Sequence, residues 1–140
     1  MGCDMMRKAA QAQVISVHIA RDWREVYAFT SDPAAFPEWA SGLGRPLGHD
    51  DAIWRFEGSE GATTVRFSAP NEYGVLDHFV LLPDGNEIYI PLRVIANGSG
   101  CDVQFTLFRV PGMTDEKFAA DAQWVERDLR KLKALLEKRD

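Results

Sequence analysis

From residue 52 to residue 110 the chain repeats one pattern. The stretches "AIWRFE", "TTVRFSA", "GVLDHFVLL", "NEIYIPLRVIA" and "CDVQFTLFRV" alternate apolar and polar residues. They are separated by the short polar turns "GSEG", "PNEY", "PDG" and "NGSG". A period of two broken by such turns predicts five strands in sequential antiparallel hairpins. Pro111 and Gly112 stop the last strand, and Thr114 is placed to cap a long helix, with Asp115 and Glu116 in its first turn. Along that helix Phe118, Ala122, Val125, Leu129, Leu132 and Leu136 step by four and three, which makes one apolar stripe. A meander with one apolar face and a helix with one apolar stripe can bury both only against each other, so the fold class is α+β.

Turn chemistry sets which side chains share the buried face. "LPDGN" reads as a three-residue loop with Gly85 left-handed, which puts Leu82 opposite Asn86, Val80 opposite Ile88, His78 opposite Ile90 and Leu76 opposite Leu92. An even loop at "NGSG" sets Val94 opposite Val103 and Leu92 opposite Phe105. Similar loops at "PNEY" and "GSEG" place Phe67 by Leu76 and Trp54 by Val65. All four registers agree on one apolar face in which His78 is the clearly ionisable member. Asp77 then lies on the opposite face beside Arg66, whereas a two-residue loop at Asp84-Gly85 would turn Asp77 inward. Pro91 cannot donate to the ladder, and a bulge is expected beside it.

Ahead of the meander, Ile15, Val17 and Ile19 alternate as a half-buried strand, and Asp22 with Glu25 three residues later opens a helix to about Phe29. In "SDPAAFPEWASGLG", Asp32 caps a short helix with Pro33 at its first position. Pro37 interrupts it and starts a further turn that Gly42 ends. Phe36 and Trp39 fall on one face of that stretch, as core or cavity wall. Residues 1–12 show no periodicity and read as a flexible terminus, leaving 13–140 as a single domain.

A chain of 140 residues suits one domain that needs no staples. A net charge of −5 argues against nucleic acid as a partner. Cys3 and Cys101 form no CxxC pair, and with no signal-like or membrane-spanning stretch a reducing, cytoplasmic location is expected. "MGCDMM" lacks the Ser or Thr of a myristoylation site.

The order of strand, two short helices, meander and long amphipathic helix resembles the START-like, or Bet v 1-like, superfamily, and within it the bacterial polyketide cyclase/dehydrase-like (SRPBCC) proteins. The stretches "ISVHIARDWREVYAFTSDPAAFPEWASG" and "FRVPGMTDEKFAADAQWVERDLRKLKALLE" carry the likeness, which spans residues 14–137. It implies a helix-grip fold, in which a curved antiparallel sheet wraps the long C-terminal helix around a largely apolar cavity, with residues 31–44 closing one end. Members include lipid carriers, hormone receptors, aromatase/cyclases and chaperone co-factors.

The cavity candidates are Phe36 and Trp39 from the short helices, then Trp54, Phe56, Val65 and Phe67. Leu76, His78, Val80, Ile88, Ile90, Leu92, Val94 and Phe105 follow from the later strands, with Val125 and Leu129 from the last helix. Their expected ligand is a small hydrophobic molecule: a lipid, a polyketide or an aromatic metabolite. A cyclase/dehydrase-type enzyme using the same cavity and a protein-interaction module both remain open. His78 is the catalytic candidate, as an acid or base or as an anchor for a ligand hydroxyl, against a core histidine bonded to a neighbour. No GxSxG elbow, phosphate loop or metal-ligand spacing occurs, so neither a metal nor a cofactor is expected. His49, Asp50 and Asp51 read as a solvated loop. On the outer face Phe79, Tyr89 and Phe108 align in a row that would suit a homodimer.

Overall fold

The computed structural model describes residues 9–139; residues 1–8, Cys3 among them, and Asp140 lie outside the described residues. Strand β1 (Ala12–Ile19) begins within the segment read as a flexible terminus and buries Ile15 and Ile19. Helix α1 (Trp23–Thr30) follows, its first turn capped by the Asp22 carboxylate, which accepts from the Arg24 amide at 3.0 Å. A single 3-10 helix, Pro33–Glu38, then runs straight through Pro37, so the second turn expected after that proline does not form. Pro37 has no N–H to donate, so the 3-10 ladder loses one bond there, while the φ fixed by its ring suits the helix and the backbone continues with Trp39 N–H bonded to the Phe36 carbonyl at 3.2 Å.

The sheet comprises β2 (Pro46–Asp50), β3 (Ile53–Phe56), β4 (Thr63–Phe67), β5 (His78–Leu81), β6 (Glu87–Ile90), β7 (Leu92–Asn97) and β8 (Gly100–Phe108) with β1. All pairs are antiparallel, in the orders β2-β3-β4-β5-β6 and β1-β8-β7, and the two parts meet at Pro91 between β6 and β7. The expected bulge is not the way this proline is accommodated: His78 pairs with Ile90 and Val75 with Arg93, one register on both sides. Instead the Asp77 carboxylate reaches across and accepts from the neighbouring Leu92 amide at 3.0 Å. The ladder is interrupted there, yet the donor stays satisfied.

The registers at the other turns are as expected. Gly85 is left-handed (φ 93°), Leu82 N–H meets the Asn86 carbonyl, and Val80 faces Ile88. Val94 pairs with Val103 and Trp54 with Val65. The β4–β5 pairing differs: Phe67 faces His78, not Leu76, an offset of two residues that preserves the face of every side chain. The cause lies in residues 68–77. There the Asn71 side chain accepts from the Tyr73 and Val75 amides and donates to the Val75 carbonyl, building a long turn where a short hairpin was expected. Asp77 therefore lies on the outer face but pairs with Arg93, through two bonds of 2.9 and 2.8 Å, and not with Arg66. Arg66 instead lies over the Phe79 ring at 4.4 Å.

Strand β2 is the element that pattern reading missed. His49 and Asp50 belong to it rather than to a loop, and the His49 ring stacks on Trp54 at 4.1 Å.

Helix α2 (Asp115–Glu137) is capped by Thr114, whose hydroxyl accepts from the Lys117 amide at 3.1 Å. Its stripe buries Leu129, Leu132 and Leu136 almost completely against β1 and β8. Each such leucine contributes roughly 1.5–3 kcal/mol of burial. The helix makes no comparable approach to β5 or β6. The sheet curves away from it there, and the space left between them is the site.

Candidate functional site

The gap between the first half of α2 and strands β4 to β6 is a cavity of about 330 Å³. That volume is at the lower end of the range for small-molecule pockets. Phe36 and Trp39, from the 3-10 helix and the residue that caps it, form one wall. They pack edge to face with ring centroids 4.9 Å apart, and both are nearly fully buried. Val80, Ile88, Ile90 and Phe105 come from the sheet, and Val125 and Leu129 from α2. Inward positions two apart on each strand are what places these side chains on one surface.

Trp54, Phe56, Val65, Phe67, Leu76, Leu92 and Val94 do not line it. Phe56, Val65, Leu92 and Val94 are instead core residues at 0–2% exposure, with Phe56 against the Phe36 ring at 6.3 Å and β7 covered by α1. Phe67 stands behind the cavity, edge to face with Phe36 at 5.3 Å. Trp54 is occupied by its stack with His49, and Leu76 sits beside the Leu92 carbonyl. Facing the interior was thus not enough to reach the cavity, because α1 and Phe36 of the 3-10 helix fill part of that face.

His78 is the polar centre. It opens β5, is 3% exposed, and packs edge-on to Phe36 with centroids 5.5 Å apart. Its Nδ1 lies 2.9 Å from the Leu76 carbonyl oxygen. A carbonyl can only accept, so Nδ1 carries the proton and Nε2 presents a lone pair. Burial pushes its pKa below the ordinary histidine value, against the opposing pull of the Leu76 carbonyl and the Asp77 charge. The ring is therefore neutral near pH 7, and Nε2 has no hydrogen-bond partner among the described residues.

Three polar contributors were not foreseen. Asp128 lines the cavity from α2, held by the Ser41 hydroxyl (2.6 Å) and the Ser41 amide (3.3 Å). Burial raises its pKa, while the Ser41 bonds act to lower it. This clasp ties the loop after the 3-10 helix to α2 at the cavity rim. Thr63 adds a buried hydroxyl from β4. Trp124, 46% exposed, stands at the rim, with the Arg127 guanidinium 4.9 Å from its ring centre. Trp124 and Asp128 immediately precede Val125 and Leu129 of the apolar stripe, and that adjacency was the signal available in the sequence. Nothing in the sequence joins Asp128 to Ser41. Trp39 lines the same cavity, and its buried indole N–H has no acceptor among the described residues.

The arrangement can solvate an apolar molecule and orient it by one hydrogen bond to a neutral imidazole. It can also accept a proton at Nε2.

No protein-family model matches this sequence, and no curated protein does. Solved structures do match in shape. A START superfamily protein from Mycobacterium smegmatis superposes with a TM-score of 0.67 at 12% identity, over 91% of this chain and 97% of its own. Ara h 8.0201 gives 0.71 at 9% identity, over 94% and 100%. DynU16, from the dynemicin biosynthetic locus, gives 0.70 at 15% identity over 90% of this chain, which spans 47% of that longer protein. Identities this low speak to backbone architecture. With its curved antiparallel sheet, long C-terminal helix and helical plug after the first strand, the chain has the helix-grip fold of START-like and Bet v 1-like proteins.

Proposed function

We propose that the protein binds a small hydrophobic ligand (a lipid, polyketide or aromatic metabolite) in the cavity between the sheet and α2. One observation carries the proposal: a space of about 330 Å³ with apolar walls converges on a single buried imidazole whose Nε2 is unpartnered. Apolar burial at about 25 cal/mol per Å² supplies the driving force, and one polar group supplies the orientation. Native mass spectrometry of freshly purified protein tests it. An apolar molecule should travel with the folded chain and be displaced by a naphthalene probe. A bare chain that takes up no probe would overturn the proposal.

A second reading, a cyclase- or dehydrase-type enzyme, draws on the same lone pair, because a neutral imidazole at Nε2 can take a proton from a bound substrate. The likeness to a protein of a biosynthetic locus is compatible with it. Asp128, committed to Ser41, leaves the cavity without an evident second acid or base, and this favours binding over turnover. The reading includes a cytoplasmic location. It is supported by a buried, unpaired Cys101, and no helix among the described residues is long and apolar enough to cross a membrane. It also includes a second copy of the chain as partner on the outer sheet face. Support comes from the stacked row Phe79, Tyr89 and Phe108, with centroids 5.0 and 6.1 Å apart, and from the exposed Leu81 two residues from Phe79 on β5.

A further inference from the structure

The polar groups of the cavity wall limit the charge its ligand can carry. No lysine or arginine lines the cavity among the described residues, and Asp128 contributes a carboxyl group. His78 is buried at 3% exposure, which favours the neutral ring, and its Nδ1 proton is used on the Leu76 carbonyl, which leaves Nε2 as the acceptor. An anionic headgroup inside would be desolvated beside a carboxyl with no cation in the wall to pair with it, Arg127 standing outside over Trp124, and this is unfavourable. A ligand hydroxyl, by contrast, meets an acceptor at Nε2. The unpartnered Trp39 indole N–H belongs to the same wall, and both rings pack against Phe36, at 4.9 and 5.5 Å. Phe36, Trp39, Phe105 and Trp124 set aromatic rings among the aliphatic side chains of the lining, and a flat ring system can pack against them.

Resting on the ligand-binding reading above, we propose that the ligand is an uncharged, flat, hydroxyl-bearing molecule that donates to His78 Nε2, and that carboxylate amphiphiles such as fatty acids are excluded.

The test uses three probes of one shape, naphthalene, 2-naphthol and 2-naphthoate, titrated near neutral pH into the full-length protein by calorimetry. The proposal expects 2-naphthol to bind about two- to tenfold more tightly than naphthalene, the span of one net hydrogen bond. It expects 2-naphthoate to bind weaker than naphthalene by more than about tenfold. In His78→Phe the preference for 2-naphthol should vanish while naphthalene still binds. The wild-type series stands alone if that variant does not fold. Naphthoate binding as well as naphthol, or a preference for naphthol that survives in His78→Phe, would overturn this inference and leave the cavity reading standing. Failure of all three probes would remove the cavity reading and this inference with it.

Discussion

Acidification should destabilise this protein through His78, up to the limit that one proton sets. Burial holds the folded-state pKa of His78 below its ordinary value, while the unfolded chain titrates near pH 6.5. Between those two values the unfolded state binds the extra proton. Stability is therefore fully present above about pH 6.5 and is lost as the pH falls toward the folded-state pKa. Where the folded ring stays neutral, the slope approaches about 1.4 kcal/mol per pH unit for one proton. One unit below the unfolded pKa, the loss is also about 1.4 kcal/mol. Asp128 acts with the opposite sign: its raised pKa adds stability as the pH falls from that value toward the unfolded one. The assay must therefore isolate His78. Chemical denaturation of wild type and His78→Phe, from about pH 7.5 to about pH 5.5, does so because Asp128 is present in both proteins. The wild type should lose more than the variant across that range, with about 1.4 kcal/mol as the ceiling for one proton. Parallel curves would refute the reasoning, since the folded protein would then be binding the proton as readily as the unfolded chain.

Asp77→Ala removes the acceptor of the buried Leu92 amide beside Pro91 and both bonds to Arg93, so it should cost about 1–3 kcal/mol in a denaturation series. A change below about 0.5 kcal/mol would show that the β6–β7 junction does not need this carboxylate. The aromatic row on the outer face should bring two copies together in light scattering at high concentration, and Tyr89→Lys should return the protein to a monomer. A wild type that stays monomeric would remove the dimer.

Local chemistry made much of the fold legible. Pro83-Asp84-Gly85 and Gly98-Ser99 each have a backbone requirement that fixes loop length, and from them follow the inward His78 and the pairings of β5 to β8. Capping by Asp22, Asp32 and Thr114 is equally local. Elements that depend on distant partners were not legible. Strand β2 lies in a stretch holding Gly42, Gly44, Pro46 and Gly48, which reads as turn, and it becomes a strand only because β3 is there to pair with it. The two-residue offset at β4–β5 came from a turn built by the Asn71 side chain, whose reach no loop count conveys. The cavity was the hardest part. The alternation of Leu92 and Val94 is the same as that of Ile88 and Ile90, and only the packing of α1 on β7, with no helix close to β6, decides which pair meets empty space.

That division between filled core and open cavity is most directly tested by methyl NMR of the protein titrated with naphthalene. Resonances of Val80, Ile88, Ile90, Val125 and Leu129 should shift together and saturate with the probe, while those of Val94, Val103 and Leu132 on the packed side of the helix stay in place. Shifts confined to the outer sheet face at Leu81 and Ile95, or none at probe saturation, would contradict a ligand-binding cavity.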